Sequence, residues 1–314
     1  MSRILHIISG LKVGGAEKAL YRLITNLNND KYFHTVISLT KGGAISKDLR
    51  KANVNVIVFD FRQNPFRQFW KLLLFIKKTK PDIVNTWMYH ANVIGGIAAR
   101  FAGVKKIIWS LRTTDVKESS KWLTKLIRRA GALLSHFIPE IIICVAESVK
   151  LSHSNIGYSK NIMVTIHNGF DIDQVKFNQI QRQFLRERFG FSSNTIVIGS
   201  LGRFNKAKDQ HNFISAVGII AQEWPNARFL MVGEGLTNEN IKLNSWIKNA
   251  GIEDKLILLG ERNDVPNCLS SMDVFCLHSS REGFPNALAE AMLIGLPCVS
   301  TNVGDVELLL KDVG

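Results

Sequence analysis

The sequence has no uninterrupted apolar run that approaches the ~18–20 residues of a membrane-spanning helix, so a segment crossing a bilayer is not expected. No CxxC spacing occurs. The four cysteines, Cys144, Cys268, Cys276 and Cys298, stand singly in apolar contexts. That is the pattern of buried reduced thiols, and it argues against a zinc site and a disulfide framework. The opening stretch, 1–8, is too short and too polar for a signal peptide and reads as a first strand. After it comes a glycine loop, but not G-x-G-x-x-G, so the dinucleotide fingerprint is missing. Low-complexity tracts and strong internal repeats are also lacking. Acidic residues are scarce in the first half: residues 1–170 hold 26 Lys and Arg against 9 Asp and Glu, whereas 171–314 hold 14 against 17.

What is present is a chain of 314 residues, 46% hydrophobic, with a mean hydropathy of +0.06. These values describe soluble globular material with enough length for two domains. The formal charge of +14 comes entirely from the first half. A basic half beside a slightly acidic one points to a polyanion as partner: nucleic acid, an anionic membrane surface or a phosphorylated substrate. Nucleic acid is disfavoured, because no nucleic-acid-binding module is recognisable.

Short β-branched runs alternate with helical patterns throughout. Strands are predicted at 4–8, 35–39, 54–59, 82–86, 106–110, 141–145 and 163–166, and again at 195–200, 228–232, 256–259, 274–277 and 298–301. Helical spacing of apolar residues appears after most of them, including 66–78, 117–136, 174–189, 209–223, 240–250 and 265–272. This rhythm predicts an α/β chain with mostly parallel sheets and helices on both faces. The turn-like stretch around 190–194 marks a junction. The expected division is a first doubly wound domain over 1–170, a linker region over 171–194 and a second domain over 195–314.

Residues 279–297 combine a polar loop, a helix pattern and a stop at Gly295 and Pro297. Pro285 suits the first turn of a helix, where its missing N–H costs little. Glu282 lies in the loop and Glu290 in the helix. A glycine-containing loop that feeds a helix N-terminus attracts anions. Two acids there fit a ligand that also carries hydroxyls. Gly202, Arg203 and Lys208 follow another strand, and Arg and Lys in one such loop suit a diphosphate. A planar base could rest against the backbone near Val265. In the first half, Gly14 and Gly15 allow close approach to a ligand, while His90 and Arg112, with Asp115 a lesser neighbour, each follow a strand. The 66–78 and 117–136 stretches mix apolar and cationic residues, as surfaces that dock on anionic lipid do, although solvated basic faces of core helices look the same.

Glu282 to Glu290, with Gly202-Arg203, Lys208, Gly14 to Glu17 and Asn168 to Asp171, resembles retaining glycosyltransferases of family 4. The resemblance spans nearly the whole chain. It implies the GT-B architecture, two Rossmann-like domains facing across a cleft. It implies that Glu282 contacts the hydroxyls of a donor sugar, that backbone N–H groups of Gly283, Phe284, Pro285 and Asn286 (Pro285 itself has none) lie near its phosphates, and that Glu290 bonds the ribose. Arg203 and Lys208 would hold the diphosphate as it leaves, and Gly15 would approach from the first domain. His90 and Arg112 would lie near the reacting centre. Transfer of a hexosyl or N-acetylhexosaminyl group from a nucleotide-diphosphate sugar, expected to carry UDP, would retain anomeric configuration and use no cofactor and no catalytic metal. The acceptor would be a lipid-linked or membrane-proximal glycan in envelope or exopolysaccharide synthesis. The implied location is cytoplasmic, peripheral on the inner face of the membrane. The family continues beyond the equivalent of Gly314, so a second domain lacking its last helix is expected. A non-catalytic sugar-nucleotide or glycan-binding protein of the same fold is the alternative.

Overall fold

The computed structural model describes residues 1–27, 30–114 and 122–311. The chain divides into two units, 1–169 and 170–314. The first holds seven parallel strands: β1 (Ser2–Ile8), β2 (Tyr32–Ser38), β3 (Asn55–Val58), β4 (Ile83–Trp87), β5 (Lys106–Leu111), β6 (Ile141–Cys144) and β7 (Met163–Thr165). Their order in the sheet is β3-β2-β1-β4-β5-β6-β7. The order reverses between β1 and β4, which is where open sheets of this class bind ligands.

Connecting helices are α1 (Gly15–Asn26), α2 (Ala44–Lys51), α3 (Pro65–Thr79), α4 (Tyr89–Phe101), α5 (Trp122–Leu134) and α6 (Glu147–Ser154). Ala19, Leu20, Ile24, Ile45 and Leu49 from α1 and α2 meet Ile8, Val36, Val56 and Trp87 in one core. α4 packs between α3 and α5. Its small residues let it lie close to the sheet: a Cβ at Gly96 would sit 2.7 Å from the Trp109 indole nitrogen. Of the predicted 117–136 helix, residues 117–121 lie outside the described residues, as does Asp115.

The second unit holds β8 (Ile196–Leu201), β9 (Ala227–Val232), β10 (Leu256–Leu258), β11 (Val274–Leu277) and β12 (Cys298–Ser300), in the order β10-β9-β8-β11-β12. The helices are α7 (Gln179–Arg188), α8 (Gln210–Glu223), α9 (Ile241–Ala250), α10 (Val265–Ser270), α11 (Asn286–Leu293) and α12 (Val306–Leu310). β9 shows why the strands are near-continuous apolar runs. Phe229 and Met231 face one core with α8 and α9, while Leu230 and Val232 face another with α10 and α11. The stretch 171–194, expected as a linker, falls within this unit. α7 is tied to the start of β11 by Arg182 and Arg186, which both bond the Asp273 carboxylate. Asp273 also accepts the Val197 N–H at 2.8 Å. Sequence reading missed this because a polar helix pattern shows no sign of a partner some ninety residues away.

Candidate functional site: two strand-end constellations

In the second sheet the order reverses between β8 and β11, so the loops after these strands converge. They are tied directly: the Ser280 N–H donates to the Ala207 carbonyl at 2.8 Å. Lys208 Nζ lies 2.6 Å from Glu282 Oε1, and the Ser279 hydroxyl donates to the same oxygen at 2.6 Å. Both side chains are largely withdrawn from solvent, at 22% and 12% exposure. Lys208 and Glu282, read from the sequence as a phosphate cation and a sugar contact, therefore form one unit. The Lys208 stem runs over Gly202, where a Cβ would meet its Cδ at 3.2 Å.

Arg203 is exposed, and its guanidinium has no hydrogen-bond or ion-pair partner among the described residues. Its carbonyl accepts from the Gln210 side chain at 3.0 Å, fixing the loop to α8. His278 donates through Nδ1 to the Asp209 carbonyl at 3.1 Å. Burial holds the His278 pKa below the usual histidine value.

The loop entering α11 is held from below. Phe284 is buried, with its ring 6.2 Å from that of Phe170. It serves as an apolar anchor, and its contribution to a ligand would be its backbone. A Cβ at Gly304 would overlap the Gly283 carbonyl oxygen, and the Asp305 N–H donates to that oxygen at 3.3 Å. Pro285 occupies the N-cap of α11, one position before the expected first turn, and Asn286 begins the helix. The first N–H groups of α11 thus open next to Glu282 in sequence, and the helix dipole favours an anion there. Glu290 follows on α11, half-buried. Val265 opens α10, half-buried, with its side chain packed against the core.

In the first unit, Gly14 caps α1 and Gly15 is its first residue, directly after β1. Across the point of reversal, β4 is joined to α4 through Met88 alone, with φ 71° and ψ 163°. Non-glycine residues rarely occupy this region, at a cost of about 1–3 kcal/mol. His90 follows, half-buried, and burial lowers its pKa, which keeps it a neutral donor and acceptor near pH 7. Arg112, after β5, lays its guanidinium 4.4 Å from the centre of the Trp87 ring and donates to the Asn168 side chain at 2.7 Å. Burial, aided by the nearby Arg22 charge, lowers its pKa to about 10. Its Nε is buried without a hydrogen-bond partner among the described residues.

Within each unit, then, the predicted residues gather at the carboxyl edge of the sheet. In the second they are Gly202, Arg203, Lys208, Glu282, Gly283, Asn286 and Glu290; in the first, Gly15, His90 and Arg112. The sequence reading overlooked Ser279, His278 and Gly304. Ser279 lay within the motif already singled out, whereas Gly304 carried no signal beyond being a glycine after a strand. Among the described residues no group of three or more His, Cys, Asp or Glu could hold a metal ion, and no helix is long and apolar enough to cross a membrane.

Residues 13–174 match the family model Glycosyltransferase Family 4, and residues 181–313 match Glycosyl transferases group 1. The chain is 30% identical over 241 residues to the UDP-Gal:alpha-D-GlcNAc-diphosphoundecaprenol alpha-1,3-galactosyltransferase of Escherichia coli, covering 76% of this chain and 62% of that protein. It is 26% identical over 325 residues to the capsular polysaccharide biosynthesis glycosyltransferase CapH of Staphylococcus aureus, covering 99% and 85%. The chain thus spans about three fifths of the E. coli relative's length. Among solved structures, Anabaena Alr3699/HepE in complex with UDP-glucose superposes with a TM-score of 0.85 at 24% identity, covering 98% of this chain and 83% of that one. The structural likeness shows the fold, and the family model spanning more than half of the chain shows the lineage: the chain belongs to Glycosyltransferase Family 4 and has the GT-B fold.

Proposed function

We propose that the chain carries the donor and acceptor machinery of a retaining glycosyltransferase that uses a UDP-sugar. The observation that carries this reading is the Lys208–Glu282–Ser279 constellation at the point where the second sheet reverses, on the two loops that also carry Arg203, whose guanidinium has no partner among the described residues, and that lead into α11. Arg203 and the α11 N–H groups would take the diphosphate. Lys208 would stabilise charge on it as the bond between the anomeric carbon and the diphosphate oxygen breaks and the glycosidic bond to the acceptor forms, and Glu282, held by Lys208, would accept hydrogen bonds from the sugar. Glu290 would bond the ribose, and the backbone at Val265 would lie against the base. Arg203, Lys208 and the α11 N-terminus are the positive groups that this reading directs at the leaving diphosphate, and it assigns no metal or cofactor. In a front-face displacement the leaving phosphate takes the proton of the acceptor hydroxyl, and no protein nucleophile is needed. His90 and Arg112 would serve the acceptor. The E. coli relative is named for a sugar on diphosphoundecaprenol and the S. aureus relative for capsular polysaccharide. The first name supports a lipid-linked glycan as the acceptor here and the second a polysaccharide product, and the excess of basic residues in the first half suits an enzyme peripheral on the inner face of the membrane.

The test is calorimetric titration with UDP and with UDP-sugars, followed by mass spectrometry of products formed on membrane extract. Arg203→Ala should weaken UDP binding at least tenfold and leave thermal stability unchanged, because the side chain is exposed and has no partner among the described residues. Unchanged UDP affinity in this variant would sink the donor site. Tight UDP-sugar binding with no transfer would leave a binding protein in its place.

A further inference from the structure

The single-residue connection between β4 and α4 is held from both sides by buried histidines. Met88, in its glycine-like conformation, uses both backbone groups: its N–H donates to the Ser110 carbonyl at 3.0 Å and its C=O accepts the Asn92 N–H at 2.9 Å. Behind it, Tyr89 is buried with its hydroxyl 2.7 Å from His153 Nε2. His153 Nδ1 lies 2.7 Å from the Val149 carbonyl, which can only accept. Nδ1 is therefore the protonated nitrogen, and Nε2 accepts the Tyr89 O–H. Tyr158 packs edge-on to the same imidazole at 5.2 Å.

Ahead of Met88, the Trp87 indole N–H points to His6 Nδ1 at 3.4 Å, which leaves His6 Nε2–H to donate to His34 Nδ1 at 3.1 Å. The Trp87 ring in turn carries Arg112. A turn that had only to reverse the chain would be served by glycine without strain. Here a strained residue sits between two tethered aromatics, and His90 is the next residue out.

We propose that Trp87–His90 is a strained elbow and that Tyr89, tethered to His153, is a positioning residue that fixes His90 for the transfer step. This rests on the reading of His90 as an acceptor-side residue. Loss of the Tyr89 hydroxyl frees the first turn of α4, the backbone at Met88 relaxes, and His90 moves into water. The neighbouring Trp87 tether acts in the same sense on Arg112.

The experiment is a double-variant cycle on the whole chain with two readouts. Tyr89→Phe keeps the ring and removes only the O–H. It should lower kcat about tenfold, the equivalent of one well-formed hydrogen bond, with the KM for donor unchanged. In a His90→Ala background the same substitution should have no further effect. Independently of turnover, imidazole proton NMR should show the His90 midpoint rising towards about 6.5 in Tyr89→Phe, with His278 in the other unit unmoved. An equal loss of kcat in both backgrounds, or an unmoved His90 midpoint, overturns the elbow. If His90→Ala turns over like the native chain, the acceptor-side reading fails instead, and the NMR midpoint still decides whether Tyr89 fixes the imidazole.

Discussion

Lys208 and Glu282 are 74 residues apart in the chain and 2.6 Å apart in space, Nζ to Oε1. The pair exists because β8 and β11 are neighbours in the sheet and their following loops meet. Lys208→Met removes the cation and leaves a largely buried carboxylate with less compensation. The expected loss is about 1–3 kcal/mol. Lys208→Met combined with Glu282→Gln should recover more than half of it. Urea unfolding of the two single variants and the double variant measures the coupling, and additive losses would show that the contact is incidental.

Stability should fall on mild acidification. His6 and His153 are buried, and burial pushes their pKa values down to about 3 and about 4, the charge of His34 adding to the effect on His6. In the unfolded chain both titrate near 6.5. Between those limits the unfolded state binds protons that the folded state refuses. Stability is therefore complete above about pH 6.5 and declines below it, by about 1.4 kcal/mol per pH unit for each such histidine. Urea midpoints from pH 7 to 4.5 should show this slope, and His153→Gln should make it shallower.

The loop after β12 supports the candidate site from beneath. Gly304 has φ 59°, and any Cβ there would overlap the Gly283 carbonyl. Gly304→Ala should cost about 2 kcal/mol or more through strain and displacement. It should also weaken UDP binding, because Gly283 adjoins Glu282. Calorimetry with UDP, set beside thermal unfolding, separates the two effects; native affinity would show that Gly304 does not shape the donor loop.

On α3, Phe66, Trp70 and Leu74 recur one turn apart and are 79%, 53% and 61% exposed. Arg67, Lys71, Lys77 and Lys78 are exposed on the same helix. Such a face suits the interface of an anionic bilayer. Phe66→Ser with Trp70→Ser should reduce co-sedimentation with phosphatidylglycerol vesicles several-fold and leave UDP binding intact. Equal sedimentation with neutral vesicles would argue against the basic residues taking part.

Strands were the most legible elements. Runs such as Val274–Leu277 are apolar because both faces are covered, and they end where polar loops begin. The eight-residue helices α2 and α6 leave no periodicity long enough to read in the sequence, since Ala44–Lys51 and Glu147–Ser154 are short and largely polar. Site residues were found individually, because loops after strands mark the binding edge of such sheets. What remained invisible was pairing. Nothing in the residues from 203 to 282 announces that one lysine holds one glutamate, or that Arg182 and Arg186 share Asp273. Met88 gave no signal either, for methionine is not the residue that a positive φ calls for.

The tie between α7 and β11 sets a rule for dissecting the molecule. An excised second half that began at the first strand, near Ile196, would leave Asp273 half-buried without either of its arginines and would lose the Asn178 N–H bond to the Ser270 hydroxyl. An autonomous fragment suited to ligand screening must start upstream of Asn178, and the covalent border between the halves lies close to Gly169.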